Sequence, residues 1–246
     1  MIALGVAEGV HVVEHGYTNC YLVEDDDGVT LVDAAYPSTW RLVARALGMI
    51  GRSVADVRAL LITHGHFDHV GFARHLQTRY GVEVWAHPDD AHLTRHPYRY
   101  RPQQPRLVHP LTHPRGLPVL ATMVAAGALA VPGVTPDQPL TTGAPLPLPG
   151  RPEIIHTPGH TDGECVVWLP ERGALLTGDA LVTLDPYDGR RGPRIIAPSA
   201  THDTVQARAS LTPLADLPAR VVLPGHGGLW SGGAAAAVEQ AQRTDG

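Results

Sequence analysis

The sequence predicts a mixed α/β (α+β) protein whose short strands pack into sheets. Several apolar runs stop at turns marked by Gly or Pro, which is typical of buried strands. Stretches between these runs are predicted as helices. A chain of 246 residues, 43% of them apolar, can bury a sizeable core, and two packed sheets commonly reach this size.

Residues 1–96 are predicted to contain strands, two helices and a histidine-rich loop. Helices are expected around Thr39–Leu47 and around Gly71–Arg79. The apolar run Ala59–Ile62 is predicted as a strand that leads into the loop, and Val82–Ala86 as the strand after the second helix.

Residues 153–246 repeat this style with three further strands and two helices. The strands are expected at Glu153–His156, Gly173–Gly178 and Val221–Leu223, and each is followed by, or ends in, a turn with Gly or Pro. The helices are expected near Asp203–Leu214 and Ala234–Gln242.

An irregular segment, residues 97–152, separates these two parts and contains 13 of the 23 prolines. Within it, Leu117–Ala130 is apolar enough for either a short helix or a buried hairpin arm. Because no clear domain break is visible, we expect a single domain, 1–246, with a Pro-rich insert or lid at about 97–152.

Four of the predicted strands are followed by side chains that bind metals. Four donors lie within six residues on the loop after Ala59–Ile62, and each of three later strands delivers one more. The seven donors are His64, His66, Asp68, His69, His160, Asp179 and His226. Such a set of nitrogen and oxygen donors suits zinc or a similar cation. Their positions at strand ends place the site along one edge of packed sheets.

The alternative interpretations are a histidine-rich surface turn or a structural metal site. Structural zinc sites usually close with four ligands and often use Cys. Here seven donors are on offer, and neither Cys20 nor Cys165 is among them; both are expected to be reduced core residues. The remaining ten histidines, including His87 at the end of another apolar run, are expected to be surface or hydrogen-bonded residues.

The chain resembles the metallo-β-lactamase-fold hydrolases. The H-x-H-x-D-H motif at 64–69 and the later His, Asp and His match that family in order and spacing. The likeness runs from about Tyr17 to His226 and includes Leu31–Asp33 and Thr157–His160. It implies a four-layer αββα sandwich of the metallo-β-lactamase type, with a core like those of glyoxalase II and the lactonases.

The resemblance also implies a role for each donor. His64, His66 and His160 would hold a first metal ion, Asp68, His69 and His226 a second, and Asp179 would bridge both. Asp33 would orient a ligand imidazole from outside the ligand set; the alternative interpretation is a turn residue at a strand end. The expected cofactors are two divalent ions, Zn²⁺ first, with Mn²⁺ or Fe²⁺ as alternatives.

This ligand set predicts a binuclear metal-dependent hydrolase that uses a metal-bridging hydroxide. A metal lowers the pKa of bound water from about 16 to near 7, so hydroxide is available at neutral pH. The catalytic residues would be Asp68 and Asp179, which offset metal charge and pass a proton to the leaving group. The expected substrate is an ester, thioester or lactone of a small, partly apolar molecule.

Two other activities of the fold stay open. One is a mononuclear iron enzyme like the persulfide dioxygenases, for which His64, His160 and Asp179 would suffice; the other is hydrolysis of β-lactams. Glyoxalase II-like enzymes add a long C-terminal region that contacts glutathione, whereas 20 residues follow His226 here, so glutathione thioesters are not expected. Lactonases place a Tyr shortly after the bridging Asp, and Ala180–Val182 offers none.

The candidate substrate-contacting residues lie in the irregular segment and in the loop after Asp179. They are Tyr98, Arg99, Tyr100, Met123 and Tyr187. Aromatic faces and guanidinium groups suit a partly apolar, anionic acyl compound. The alternative is a Pro-stiffened surface linker and a solvated turn.

Composition narrows the partners to small molecules. The net charge is −5 and no basic run is present, which argues against nucleic acid. All 19 basic residues are Arg, so anionic groups would be held by Arg, backbone N–H groups or metals. No run of 18 apolar residues and no signal peptide are visible, which predicts a cytoplasmic protein without a membrane span. Nothing in the sequence supports a homo-oligomer.

Overall fold

Two β-sheets packed face to face form the centre of the protein in a computed structural model that describes residues 1–244. The first sheet has seven strands in sequence order, antiparallel as far as the fourth and parallel from there on. These strands are β1 (Ile2–Ala7), β2 (Val10–His15), β3 (Thr18–Asp25), β4 (Gly28–Val32), β5 (Val57–Ile62), β6 (Glu83–Ala86) and β7 (Gln138–Pro139).

The second sheet has four strands in the order β13, β10, β9, β8, and its β10 and β13 run parallel. A separate two-stranded hairpin is formed by β11 and β12. The bounds are β8 (Glu153–His156), β9 (Cys165–Leu169), β10 (Ala174–Gly178), β11 (Val182–Leu184), β12 (Arg191–Arg194) and β13 (Val221–Pro224).

Seven α-helices surround these sheets in the described part of the chain. They are α1 (Trp40–Met49), α2 (Ala73–Tyr80), α3 (Ala91–Arg95), α4 (Val108–Thr112), α5 (Leu117–Ala125), α6 (Thr204–Ser210) and α7 (Gly233–Arg243). Within residues 1–244, no helix is long and apolar enough to cross a membrane.

Side-chain alternation along the strands produces three apolar layers. Val32 and Leu61 of the first sheet face Val167 and Leu176 of the second, and together they form the core between the sheets. The opposite face of the first sheet is covered by α1, α2 and α5. The opposite face of the second sheet packs on α6 and α7. The order helix, sheet, sheet, helix is the expected αββα sandwich.

The predicted elements occur within a few residues of their expected bounds, with two informative differences. The helix expected near Asp203–Leu214 ends at Ser210, and a short 3₁₀-helix, Thr212–Asp216, follows because Pro213 cannot continue the α-helix. In the irregular segment, Leu117–Ala125 is a helix rather than a hairpin arm. Cys20 and Cys165 are free and buried, as expected.

Candidate metal centre

The pairing of parallel strands explains why distant donors meet. In the first sheet β4 and β5 are parallel, so Asp33, which follows β4, lies beside the loop that begins after β5. The backbone N–H of Asp33 donates to Leu61 O at 2.8 Å. Since the carboxyl ends of parallel strands share one edge, the motif loop and Asp33 occupy the same place.

The second sheet delivers its donors in the same way. Asp179 follows β10 and His226 follows the parallel strand β13. The N–H of Gly225 donates to Gly178 O at 2.7 Å. A side chain at Gly225 would collide with Asp179 Oδ1 and the His69 ring, so glycine there allows the two sheet edges to close on one another.

The donors meet as two triads, each with its ligand atoms within 4.8 Å of one another. The first is His64, His66 and His160, with ring centroids 4.7–4.9 Å apart. The second is Asp68, His69 and His226. All six side chains are buried.

Asp179 lies between the triads and reaches both. Its Oδ2 is 3.7 Å from His64 Nε2, 3.5 Å from His160 Nε2 and 3.2 Å from His226 Nε2. Its Oδ1 is 3.5 Å from His69 Nε2. All seven predicted donors therefore lie in one cluster.

The hydrogen bonding of these donors is incomplete in a way that fits metal ions. Within residues 1–244, four buried atoms of the cluster have no hydrogen-bond partner: His64 Nε2, His66 Nε2, His69 Nε2 and Asp179 Oδ1. Unpaired buried polar atoms are costly, and native proteins rarely keep several together. Divalent cations would satisfy all of them, because imidazole nitrogen and carboxylate oxygen are their usual ligands.

The two triads differ in charge. Burial lowers the pKa of His64 and His66, and that of His160 to about 4, so these rings are neutral and offer lone pairs. Burial opposes protonation of His226 too, but Asp179 and Asp68 raise its pKa to about 10. Because metals bind neutral imidazole, loading the second triad would release protons.

Asp33 forms a hydrogen bond with the His69 ring. Its Oδ2 lies 2.8 Å from His69 Nδ1, and it also accepts hydrogen bonds from the backbone N–H and Oγ1 of Thr63. Asp33 has a positive φ of 63°, an unusual conformation for a residue other than Gly. A carboxylate paired with an imidazole in this way fixes the orientation of the ring.

Glu164 was missed by the sequence analysis and lies beside His64 of the first triad, whose Nδ1 is paired with Thr63 Oγ1. Its side chain is fully buried, with Oε2 3.2 Å from His64 Nδ1, and Oε1 accepts the backbone N–H of Asp179 at 3.1 Å. A Cβ on Gly178 would lie 2.5 Å from Oε1, so glycine makes room for this carboxylate. The available signal was a charged residue directly before the apolar strand β9, because buried charges are usually paired.

Asp90 was also missed, and it joins two ligand loops. Its carboxylate accepts hydrogen bonds from Gly65 N at 2.7 Å, Thr161 Oγ1 at 2.8 Å and Gly163 N at 2.9 Å. Gly65 lies between His64 and His66, and Thr161 follows His160. One buried carboxylate thus fixes the distance between the loops that carry the first triad.

Two predicted substrate residues lie over the cluster. The Tyr100 ring is 4.3 Å from the His66 ring, and its hydroxyl is 3.2 Å from that of Tyr187. The Arg106 guanidinium covers Tyr100 at 3.9 Å. The two phenols and the metal donors enclose a cavity of about 10 Å³, room for about one water molecule.

The other three predicted substrate residues are placed differently. Arg99 lines a groove of about 660 Å³ that leads outward from His66 and His160. Tyr98 instead stacks on Phe67 at 5.4 Å, and its hydroxyl donates to Ala128 O, so it points into the insert. Met123 is 2% exposed and packs in the core beneath the first sheet, because α5 turns its apolar face inward. Tyr98 and Met123, which were predicted to contact substrate, therefore line neither the groove nor the small cavity.

Comparison with known proteins gives several relatives. A protein named Hydroxyacylglutathione hydrolase GloC from Haemophilus influenzae is 30% identical over 85% of each chain. A protein named Probable metallo-hydrolase YflN from Bacillus subtilis is 26% identical over 90% of this chain and 84% of its own length. Uncharacterized protein YobT from Bacillus subtilis is 31% identical, and the match spans 66% of this chain and 61% of that protein.

Solved structures and a family model agree with these relatives. The metallo-beta-lactamase family protein TTHA1429 from Thermus thermophilus superimposes with a TM-score of 0.67 at 27% identity, over 96% of this chain and 78% of that one. The family model of the metallo-beta-lactamase superfamily matches residues 13–226. Because that match includes every donor of both triads, the chain belongs to the metallo-β-lactamase superfamily.

Proposed function

We propose that this chain is a hydrolase that holds two divalent metal ions, Zn²⁺ first, and cleaves an ester, thioester or lactone of a small, partly apolar, anionic substrate. The observation that carries the proposal is the pair of complete triads with Asp179 between them. Ions held there would supply hydroxide at neutral pH by lowering the pKa of water, and would polarise a substrate carbonyl.

The two carboxylates of the cluster have separate tasks in this proposal. Asp179 reaches donors of both triads, so it keeps their spacing fixed. Asp68 lies at the edge of the second triad and also lines the small cavity under the two phenols. A carboxylate at that position can accept a proton from the attacking water and give it to the leaving group.

Tyr100 and Tyr187 would orient the substrate carbonyl. Burial raises the pKa of both phenols, which keeps their hydroxyl hydrogens in place at neutral pH. In the lactonases a Tyr close after the bridging Asp has this role. Here Tyr187 follows Asp179 by eight positions, and the loop between β11 and β12 places it over the cluster. An acyl substrate has to separate the two hydroxyls to reach the cavity.

The groove beside the cluster would hold the acyl portion. Arg99 and Arg101 line it together with Tyr100 and Leu93, which offers two guanidinium groups next to apolar surface; Asp89 and Asp162 line the same groove. Guanidinium groups bind carboxylates in a bidentate manner. We therefore propose a substrate with an anionic group some distance from the scissile carbonyl.

The proposal is tested with metal-loaded protein and a panel of carboxylated and neutral esters, thioesters, lactones and β-lactams. Turnover of acyl compounds that is abolished by chelation, restored by Zn²⁺ or Mn²⁺ and faster for the carboxylated members is the expected result. Oxygen uptake with a persulfide substrate, without hydrolysis of any panel member, would instead assign the iron chemistry. The intact second triad favours hydrolysis.

A further inference from the structure

A second cluster of metal-binding side chains lies outside the centre described above. His87, Asp89 and His156 bring one ligand atom each within 4.8 Å of the others. His87 directly follows β6 of the first sheet, and His156 is the last residue of β8 in the second. The cluster therefore connects the ends of strands from the two sheets.

The two imidazoles are held side by side. Their rings stack with centroids 4.1 Å apart and planes 10° apart. His156 Nε2 lies 2.8 Å from Asp162 O. Because a carbonyl oxygen only accepts, Nε2 carries a proton, so Nδ1 is the nitrogen through which His156 would bind a metal. A ligand histidine in proteins is oriented by this kind of backbone hydrogen bond.

The third member supplies a carboxylate. Asp89 Oδ2 is 3.6 Å from His87 Nδ1, and the Asp89 side chain is 58% exposed, so it can turn without disturbing the core. The backbone N–H of Asp89 also donates to His87 Nδ1 at 3.3 Å, so a metal bound through that nitrogen would replace this hydrogen bond. Two imidazoles and a carboxylate form a common ligand set for divalent transition metals.

We propose that His87, Asp89 and His156 form a third divalent-metal site, separate from the buried centre and open to solvent. Donors around a tetrahedral ion with metal–nitrogen distances of about 2.1 Å lie about 3.4 Å apart. Binding therefore requires the exposed carboxylate to swing in and one ring to tilt out of the stack. The cost of that rearrangement makes this site weaker than the buried centre.

The location connects the site to its surroundings. Asp89 and Asp162 also line the groove beside the buried centre, so an ion here adds positive charge to that groove. A neighbouring cavity of about 430 Å³, lined by Asp89 and His156, gives access to the cluster. Three protein ligands leave one position of a tetrahedral ion open to water. The ion would also connect the end of β6 to the end of β8.

The test is a count of bound ions. Wild-type protein and the variants His156→Gln and Asp89→Asn are stripped with chelator, equilibrated over a series of free Zn²⁺ concentrations and analysed for zinc per chain. The matched control is His113→Gln, because His113 stacks on His109 at 4.6 Å and 13° and, among residues 1–244, no carboxylate completes a triad around that pair.

We expect the wild type and His113→Gln each to bind one more zinc ion per chain than His156→Gln and Asp89→Asn. This difference does not depend on how many ions the buried centre holds. We also expect that last equivalent to raise the melting temperature of the wild type and of His113→Gln, and of neither other variant. Equal zinc counts in all four proteins at every concentration would overturn the proposal. Both measurements compare zinc content or melting temperature between the four proteins. Neither depends on whether the protein is a hydrolase.

Discussion

Glu164 Oε2 lies 3.2 Å from Nδ1 of His64, within a site where both side chains are fully buried. The other oxygen of the same carboxylate accepts the backbone N–H of Asp179. Glu164 thus fixes the backbone of Asp179 and lies beside His64, whereas Asp33 is hydrogen-bonded to His69 at 2.8 Å. A buried acidic side chain therefore lies next to one histidine in each half of the centre.

Replacing Glu164 by Gln tests this support. Burial and the nearby Asp179 raise the pKa of Glu164, so the neutral amide keeps the size of this side chain and replaces one of its oxygens by an NH₂ group beside His64 and the backbone of Asp179. We expect the affinity of the first triad for its metal ion to fall by about 10–100-fold. Competition with a chromogenic chelator measures this affinity.

The matched control is Cys165→Ala, the buried neighbour that packs in the core between the sheets. This substitution removes core packing at a side chain that is not one of the metal donors. It should therefore lower the melting temperature and leave the metal affinity unchanged. If Glu164→Gln behaves like this control, the carboxylate has only a packing role.

Asp68→Asn tests the catalytic assignment. A neutral amide at this position cannot accept a proton, and because it has the size of the buried carboxylate that lines the small cavity, we expect the fold to persist. We expect turnover to fall by about 10²–10⁴-fold, with an unchanged far-ultraviolet circular dichroism spectrum. Near-normal turnover would reject the role of Asp68.

Tyr100→Phe tests the phenol pair, and Tyr98→Phe is its matched control. The first removes the hydroxyl that faces Tyr187 over the metal donors, so the ratio of kcat/KM between carboxylated ester and lactone substrates should change. The second removes hydroxyl contacts with Ala128 O and Val131 N inside the insert, which costs about 1 kcal/mol of stability. A uniform loss over all substrates in both variants would show that neither phenol selects the substrate.

The loop that carries Tyr187 should respond to pH through Asp185. Burial and the nearby Asp188 raise the pKa of Asp185 to about 7, although Tyr187 N and Ala197 N donate hydrogen bonds to it. The unfolded chain has a pKa of about 3.9 for this group. Between these two pKa values the folded protein therefore binds one more proton than the unfolded chain. The associated stabilisation is present at low pH and is lost as the pH rises through about 7.

Asp185→Asn removes this dependence. Denaturant unfolding of both proteins at equal metal loading, between about pH 5 and about 8, should show the wild type losing stability relative to the variant as the pH rises. Other titrating groups cancel in the difference. Parallel curves for the two proteins would mean that Asp185 is ionised throughout.

That the seven donor side chains would lie near one another could be predicted from the sequence, because each lies on a loop that follows a short apolar run. Parallel pairing of β4 with β5 and of β10 with β13 then brings those strand ends together. Glu164 and Asp90 could not be found in this way, because their roles depend on contacts with residues far along the chain, such as His64 and Gly65.

The insert shows the same limit for the substrate residues. Tyr98 and Tyr100 are two positions apart and have the same side chain, yet one points into the insert and the other lies over His66. Their directions are set by packing against Phe67, α5 and the loop of Tyr187, which no local pattern describes. Met123 illustrates the reverse case, since an apolar residue in a predicted helix is as readily a core residue as a pocket wall.

The central claim is that the two triads hold two divalent ions. Anomalous diffraction from crystals of protein purified without chelator, recorded at the zinc, manganese and iron absorption edges, gives the identity, number and position of the ions together. We predict two peaks of zinc or manganese, one at His64, His66 and His160 and one at Asp68, His69 and His226. A single iron peak at His64, His160 and Asp179, with nothing at the second triad, would contradict this account.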